Sequence, residues 1–483
     1  MAPVQDMAAP PPSRTSSGMP VRTGAVVGFL VFVELVSGVV QGSLIPLLPQ
    51  LGHALGVSHA HLNWASSVHL LAAALLVPAF ARLGDLHGHR RMLRITVVMV
   101  VIGTLLTASA TSYPVLLVGR ALQGPLAALL PLEIALVRDR LPKEQARLAI
   151  GMLVGALTLG ISLGLVASGW IFERMGSPSG TLWIVTAFAA AAVPVSFFLI
   201  PESVTRARVK VDIPGTVGLA LGLAAVLYGV AQAEEHGWTS MLFLACTGLG
   251  ALVLAGWGAY ELRAAHPMVD IRALARPQAF PLYLAAAVFG MALYGSQTAN
   301  ATFMGTPRDL GGYGFGMGVL AIGLTSLPLG LGAFAGSSLA PRIARTAGYR
   351  AVLVGGALVS AVGFVWMALL HEAVWQLVVG GVVTGIGTGV CLASLPTVIV
   401  ELAPLDQSGI AGGLYSTSKT LGGSISGAAF ATVLSAMTIP GPDQAVPSES
   451  AYTTVWFACA GTAVLTALLV LAVRRAPATE PIA

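Results

Sequence analysis

Long apolar runs separated by short polar turns fill nearly the whole chain. Such runs lie near Gly24–Leu48, Leu62–Ala81, Met92–Ala110, Val115–Val137, Ala149–Trp170 and Leu182–Ile200. Two more lie near Pro214–Ala233 and Met241–Tyr260. Six follow near Phe280–Phe303, Gly316–Leu339, Ala351–Leu370, Val374–Val400, Ile410–Met437 and Tyr452–Val473. At about 20 residues, each is long enough to cross the hydrocarbon core of a bilayer as a helix. The pattern therefore predicts an all-α polytopic membrane protein with fourteen transmembrane helices. Between the second and third runs lies the polar turn Ala81-Arg82-Leu83-Gly84-Asp85-Leu86-His87-Gly88-His89-Arg90-Arg91. It must reverse the chain tightly, and Gly88 supplies the permissive backbone. Asp85, an acid among arginines, calls for a partner: an arginine or a helix N-terminus.

Composition agrees with this picture. Of 483 residues, 56% are hydrophobic and 9% charged, whereas soluble domains carry about 25% charged residues. The formal charge of +5 sits in turns between apolar runs, so it reports membrane topology and not nucleic-acid binding. With residue 1 placed in the cytoplasm, the turns on that side collect most of the Arg and Lys residues, from Arg82, Arg90 and Arg91 through Arg206, Arg208 and Lys210 to Arg342, Arg345 and Arg350. The opposite side holds only Arg174 and Arg308. This asymmetry predicts both termini in the cytoplasm and a multi-pass protein of the plasma (inner) membrane.

The expected organisation begins with a disordered cytoplasmic tail at 1–23, rich in Pro, Ser and Ala. A six-helix half follows at 24–200, two inserted helices at 201–275, a second six-helix half at 276–475, and a cytoplasmic tail at 476–483. An internal repeat supports the two halves. Arg82-Leu83-Gly84 and Gly88-His89-Arg90 echo Arg342-Ile343-Ala344 and Gly348-Tyr349-Arg350, and Thr158-Leu159-Gly160 echoes Thr420-Leu421-Gly422. The three cysteines, Cys246, Cys391 and Cys459, have no paired spacing and predict neither disulfides nor a metal site.

The polar turn resembles the loop between spans 2 and 3 of the major facilitator superfamily, roughly G-x-x-x-D-R/K-x-G-R/K-R/K. Asp85, Gly88 and Arg90 match, while Ala81, Leu86 and His89 depart from the pattern. In that family the Asp braces a helix of the other half, which implies a conformational latch at Asp85, Gly88 and Arg90. Gly119-Arg120-Ala121-Leu122-Gln123-Gly124 resembles the family motif R-x-x-Q-G, whose Arg is linked to proton transfer. Gly155 to Leu165 resembles the span 5 motif of its antiporters, ending G-P-x-x-G-G, with Ile161 replacing the Pro and Leu165 the last Gly. Pro201-Glu202-Ser203 after span 6 and Asp212-Ile213-Pro214-Gly215 opening span 7 are similar to its fourteen-span drug:proton antiporter branch. The resemblance implies the major facilitator fold: two six-helix halves with the binding site between them, plus two inserted helices.

A polar residue inside a span is costly and should face the bundle interior or an aqueous cavity. In span 1, Glu34, Ser37 and Gln41 share one face by their spacing of three and four. Glu34 lies near the bilayer midplane and is the first candidate for carrying a proton, with Arg120, Glu133 and His69 as the others. Three of them have a structural alternative: Glu34 neutral in packing, Arg120 snorkelling to the interface, His69 hydrogen-bonded in packing. Lys419, in span 13, has no partner that the sequence reveals. Ser37, Gln41, Gln123, Tyr294, Gln297 and Asn300 are candidates for a broad amphipathic substrate cavity, with interhelical hydrogen bonding as the alternative. Small residues at helical spacing predict close helix packing: Gly160 and Gly164 in span 5, Gly381 and Gly385 in span 12, Ser416 and Thr420 in span 13.

No H-E-x-x-H, P-loop or Cys/His cluster is present, which speaks against an enzyme, an ATP-driven pump, a metal or a cofactor. The expectation is a monomeric secondary transporter, embedded in lipid, that exports small amphipathic or cationic drug-like molecules in exchange for protons. A uniporter or importer on the same fold is the first alternative. A non-transporting membrane sensor or scaffold is the second.

Overall fold

The computed structural model describes residues 23–56, 59–202, 212–265, 267–439 and 446–473. The expected tails, and Arg206, Arg208 and Lys210, lie outside the described residues, apart from the first residue of α1. Long helices carry almost everything else. The first group is α1 (Thr23–Leu44), α2 (His59–His87), α3 (His89–Ala108), α4 (Tyr113–Arg140), α5 (Lys143–Met175) and α6 (Pro178–Leu199). A pair follows, α7 (Ile213–His236) and α8 (Met241–Glu261). The last group is α9 (Phe280–Gly305), α10 (Val319–Ala347), α11 (Tyr349–Leu369), α12 (Val374–Leu402), α13 (Ser408–Ala436) and α14 (Glu449–Ala472). Within α4 the stretch Gly124–Ala128 tightens to a 3₁₀ turn, where Pro125 removes a backbone donor.

Among the described residues, twelve helices are long and apolar enough to cross a membrane. The other two long ones, α9 and α13, are 26 and 29 residues long but are interrupted by polar residues and are not among the twelve. The second half of α9 reads Tyr294-Gly295-Ser296-Gln297-Thr298-Ala299-Asn300, and α13 carries Gly, Ser or Thr through most of its turns. These two helices pack against each other. Ser296, Ser416, Thr420 and Ser426 are buried, so much of the polarity that lowers their hydropathy is turned inward.

Small residues decide which helices lie side by side. A Cβ on Gly38 or Gly42 of α1 would run into the backbone of Leu157 or Ile161 of α5, and one on Gly160 or Gly164 into that of Leu35 or Val39. The same device joins α9 to α13, with Gly290 against the Lys419 backbone and Gly422 against that of Ala287. It also joins α10 to α12, with Gly385 and Gly389 against the backbone of Leu329 and Ala333. Gly381 behaves differently: a Cβ there would meet only the Leu329 Cβ at 3.6 Å, an ordinary contact, so this glycine is not what brings α12 close. Ser416 reaches out of the second group, its Oγ donating to the Ala127 carbonyl at 3.4 Å.

The two groups meet where α5 packs on α10 and α2 on α13. Helix α7 packs on α8 and also on α2 and α13, so the inserted pair lies along this seam.

Candidate functional site

Two carboxyl groups meet in the interior. Glu34 on α1 is 1% exposed and Glu133 on α4 is 0% exposed. The two side chains interact directly, yet among the described residues no N–H or O–H is placed to hydrogen-bond Glu133 Oε1, Glu133 Oε2 or Glu34 Oε2. Local sequence explains their burial. Glu34 is flanked on α1 by Leu30, Val33, Val36 and Val40, and Glu133 on α4 by Leu132, Ile134 and Leu136, all buried. One turn along α1, Gln41 Nε2 donates to Ser37 Oγ at 3.3 Å. From the other half, the Lys419 ammonium of α13 acts on Glu34 through space. It sits 5.5 Å from the Tyr415 ring centroid and 5.8 Å from that of Tyr294, and among the described residues it makes no ion pair within 4.0 Å. Adjacent buried carboxyls cannot both hold a negative charge without great cost. A group so placed can take up and give away a proton.

Arg120 belongs to a different cluster. Its Nη1 donates to Gln123 Oε1 at 2.6 Å and its Nε to the Ala65 carbonyl at 3.0 Å. Gln123 Nε2 in turn donates to Thr107 Oγ1 at 3.2 Å. His69 lies close enough to Arg120 to feel its charge, and its Nδ1 has no hydrogen-bond partner among the described residues. The spacing expectation that Arg120 and Gln123 share a face is met, but Arg120 joins His69 and not Glu34. The substrate-cavity candidates of α9 divide as well. Tyr294 lies at Lys419, Gln297 is exposed, and Asn300 Oδ1 accepts from Trp456 Nε1 at 2.7 Å. That bond ties Asn300 to an aromatic cluster of Phe303, Tyr313, Tyr452 and Trp456, so its oxygen is spent on packing.

The seam is bolted at one end. Asp85, 1% exposed, accepts the Gly409 N–H at 2.8 Å on Oδ1 and the Ile410 N–H at 2.9 Å on Oδ2. It therefore caps the start of α13, the helix N-terminus that its position in the polar turn calls for. His89 Nε2 lies 3.0 Å from the same Oδ1. Gly88 and Arg90 do not reach the second half. Gly88 takes φ +105°, with the Glu202 carboxylate where a Cβ would be. The Arg90 N–H donates to Glu202 Oε1 at 3.2 Å, and its guanidinium to the Phe197 carbonyl at 2.7 Å. Of the three latch candidates only Asp85 crosses the seam.

Other charges at this end also cross it. Arg138 donates to Ser408 Oγ at 2.7 Å and to the Ala403 carbonyl at 2.8 Å. Arg147 grips Glu401 with two bonds, of 2.7 and 2.9 Å, and Glu144 at 2.9 Å. Arg345 donates to Glu144 Oε2 at 3.2 Å. Nothing in the spacing along the chain pairs these residues. The available signal was Glu401, an acid at the very end of an apolar run, together with the repeat, which makes α5 and α13 equivalent. A cavity of about 140 Å³ lies beside this end, lined by Asp270, Arg276, Tyr283, Gln407 and Ile410 among others. Neither Glu34 nor Glu133 lines it.

The comparisons with known proteins agree with this architecture. The family model of the Major Facilitator Superfamily matches residues 30–427 and 346–482. The chain is 25% identical over 441 residues to a probable actinorhodin transporter of Streptomyces coelicolor, covering 88% of this chain and 75% of that one. It is 27% identical over 419 residues to the multidrug resistance protein Stp of Mycobacterium tuberculosis, covering 83% and 74%. To the cephamycin export protein CmcT of Amycolatopsis lactamdurans it is 30% identical over 414 residues, covering 82% of each. In fold it is similar to the human organic anion transporter TETRAN, with a TM-score of 0.66 at 16% identity over 93% of this chain and 99% of that one. With residues 30–427 inside one family match, and two helical groups joined along a seam, the chain belongs to the Major Facilitator Superfamily.

Proposed function

We propose that this chain is a proton-coupled exporter of small amphipathic or cationic molecules. It works as a monomer of the plasma (inner) membrane, with fourteen spans and both termini in the cytoplasm. The observation that carries the reading is the Glu34–Glu133 pair, buried where no donor among the described residues satisfies Glu34 Oε2 or either oxygen of Glu133. Three relatives whose names speak of an actinorhodin transporter, a multidrug resistance protein and a cephamycin export protein support the outward direction.

The cycle follows from the two sets of contacts. With Asp85 on α13 and Arg147 on Glu401, the seam is closed at its cytoplasmic end. A proton entering from outside neutralises the carboxyl pair and weakens its hold on a cation, which leaves outward. The seam then opens to the cytoplasm, the proton is lost there, and a new cation binds. Each inward proton across ~150 mV supplies roughly 3.5 kcal/mol from the potential alone.

The test is transport in inverted vesicles. A panel of cationic and neutral dyes is offered with an imposed proton gradient, to wild type and Glu34→Gln. Gradient-driven accumulation of cationic dyes by wild type, lost in the variant, is the expected result. Downhill equilibration of the dyes, indifferent to the gradient, would replace this reading with a uniporter, which the altered span 5 motif at Ile161 and Leu165 also permits.

A further inference from the structure

The cavity of about 140 Å³ beside the Asp85 end of the seam has two walls that the first half holds separately. One wall is the segment joining α8 to α9, with Asp270, Leu274 and Arg276. Arg82 of α2 holds this segment, its Nη2 donating to the Pro267 carbonyl at 3.5 Å. The other wall is the turn from α12 into α13, with Ile399, Gln407 and Ile410. Asp85 and Arg138 hold this turn, at Gly409 and Ile410 and at Ala403 and Ser408. Tyr283 of α9 completes the lining.

Two charges line the cavity without meeting. Asp270 and Arg276 are both exposed, and among the described residues neither makes an ion pair, with the other or with a third group. Asp270 Oδ1 accepts the Ala273 N–H at 3.0 Å, which leaves Oδ2 available. Ile399 and Ile410 are buried and offer hydrocarbon. A cavity of about 150 Å³ takes up benzene, so this one accommodates a group of ring size. An acid and a base that share an apolar cavity without pairing are complementary to an ammonium and an acid group carried on one hydrocarbon body.

We propose that this cavity binds an apolar zwitterion, and that its occupant holds this end of the seam closed. When the end opens, Asp85 and Arg138 release the turn while Arg82 keeps the joining segment, so the two walls part. The occupant therefore fits the closed form alone, and its binding energy favours that form. The inference rests on the chain being a transporter whose seam opens here, and not on proton coupling.

Calorimetric titration of the purified protein in detergent tests the site, with three probes that share a phenyl body: phenylalanine, phenethylamine and 3-phenylpropionate. Phenylalanine should bind at least about tenfold more tightly than either of the others, since each of them lacks one charge-assisted bond. Arg276→Gln should remove its advantage over phenethylamine, and Asp270→Asn its advantage over 3-phenylpropionate. Equal binding of the three probes overturns the proposal, as does no binding of phenylalanine or an advantage that survives both variants. Nanodiscs of phosphatidylglycerol, with and without phosphatidylethanolamine, separate the sources of this chemistry. Phenylalanine binding in both supports a dissolved zwitterion, and binding lost when phosphatidylethanolamine is present supports a lipid head group. Closure is read from a cysteine at Ser416, behind the Asp85 contact, in purified protein with a soluble thiol reagent. Saturating phenylalanine should slow its labelling about fivefold or more. Unchanged labelling with phenylalanine bound overturns the closing role.

Discussion

Four residues carry most of what can be tested by substitution. Asp85 makes two charge-assisted bonds at the start of α13, each of a kind that contributes about 1.5–3 kcal/mol. Asp85→Asn keeps the shape but loses the charge and one acceptor. A folded protein with little transport is expected, together with faster labelling from the cytoplasm of a cysteine placed at Ser416, behind the latch. Normal transport by this variant would leave the turn a purely structural feature. Arg147 and Glu401 should behave as a coupled pair. Arg147→Gln and Glu401→Gln each loosen the same end, and the double variant should fall short of additivity by about 0.5–3 kcal/mol in thermal unfolding. Glu34→Gln retains size and hydrogen bonding but cannot titrate, so a neutral substrate should still bind while substrate-induced proton release disappears. Full proton release would transfer the role to Glu133, its immediate neighbour, or to His69.

At the scale of helices, the contacts are set by where a side chain is absent. Gly381 and Gly385 are one turn apart on α12, and sequence spacing treats them alike. Only Gly385 has the Leu329 backbone pressed against its missing Cβ. Gly385→Ala should therefore destabilise the protein by about 1–3 kcal/mol, as overpacking does. Gly381→Ala should lie within about 0.5 kcal/mol of wild type. Thermal unfolding of the two variants in detergent separates them, and equal melting temperatures would refute the packing argument. The repeat also becomes intelligible at this scale. Asp85 binds the N-terminus of α13 directly, whereas its counterpart Arg345 reaches the equivalent helix α5 through Glu144 in its first turn. An acid can face a helix N-terminus, but a cation cannot, so an intervening glutamate is required.

For the whole molecule, the inserted pair is the open architectural question. Helix α7 lies against both α2 and α13, the helices joined by Asp85. The pair is held at two places: Trp238 Nε1, in the turn between α7 and α8, donates to Thr432 Oγ1 at 2.9 Å, and Arg82 donates to the Pro267 carbonyl, beyond the end of α8, at 3.5 Å. If α7 and α8 both cross the membrane, Gly237 lies outside, while Leu86, Asp270 and Gln407 lie inside. Cysteines at Gly237 and Thr111 should react with an impermeant thiol reagent added to intact cells, and cysteines at the other three should not. Cys391 and Cys459 are buried and need not be removed, but Cys246 should be. Labelling at Asp270 from outside would break the fourteen-span topology.

The sequence by itself determined what depends on neighbours along the chain. Apolar runs marked the helices, and spacings of three and four put Arg120 beside Gln123 and Gln41 beside Ser37. The charge of Asp85 in a basic turn announced a helix N-terminus without saying which one. Tertiary structure decided the rest. Asp85 meets Gly409 across 324 positions, Arg147 meets Glu401 across 254, and Glu34 finds Glu133 and Lys419 on two other helices. The reason is that helical periodicity fixes only which residues share a face. Which faces meet depends on where backbones can approach, as at Gly42, Gly164, Gly385 and Gly422, and a glycine in the sequence does not name the helix that will lie against it.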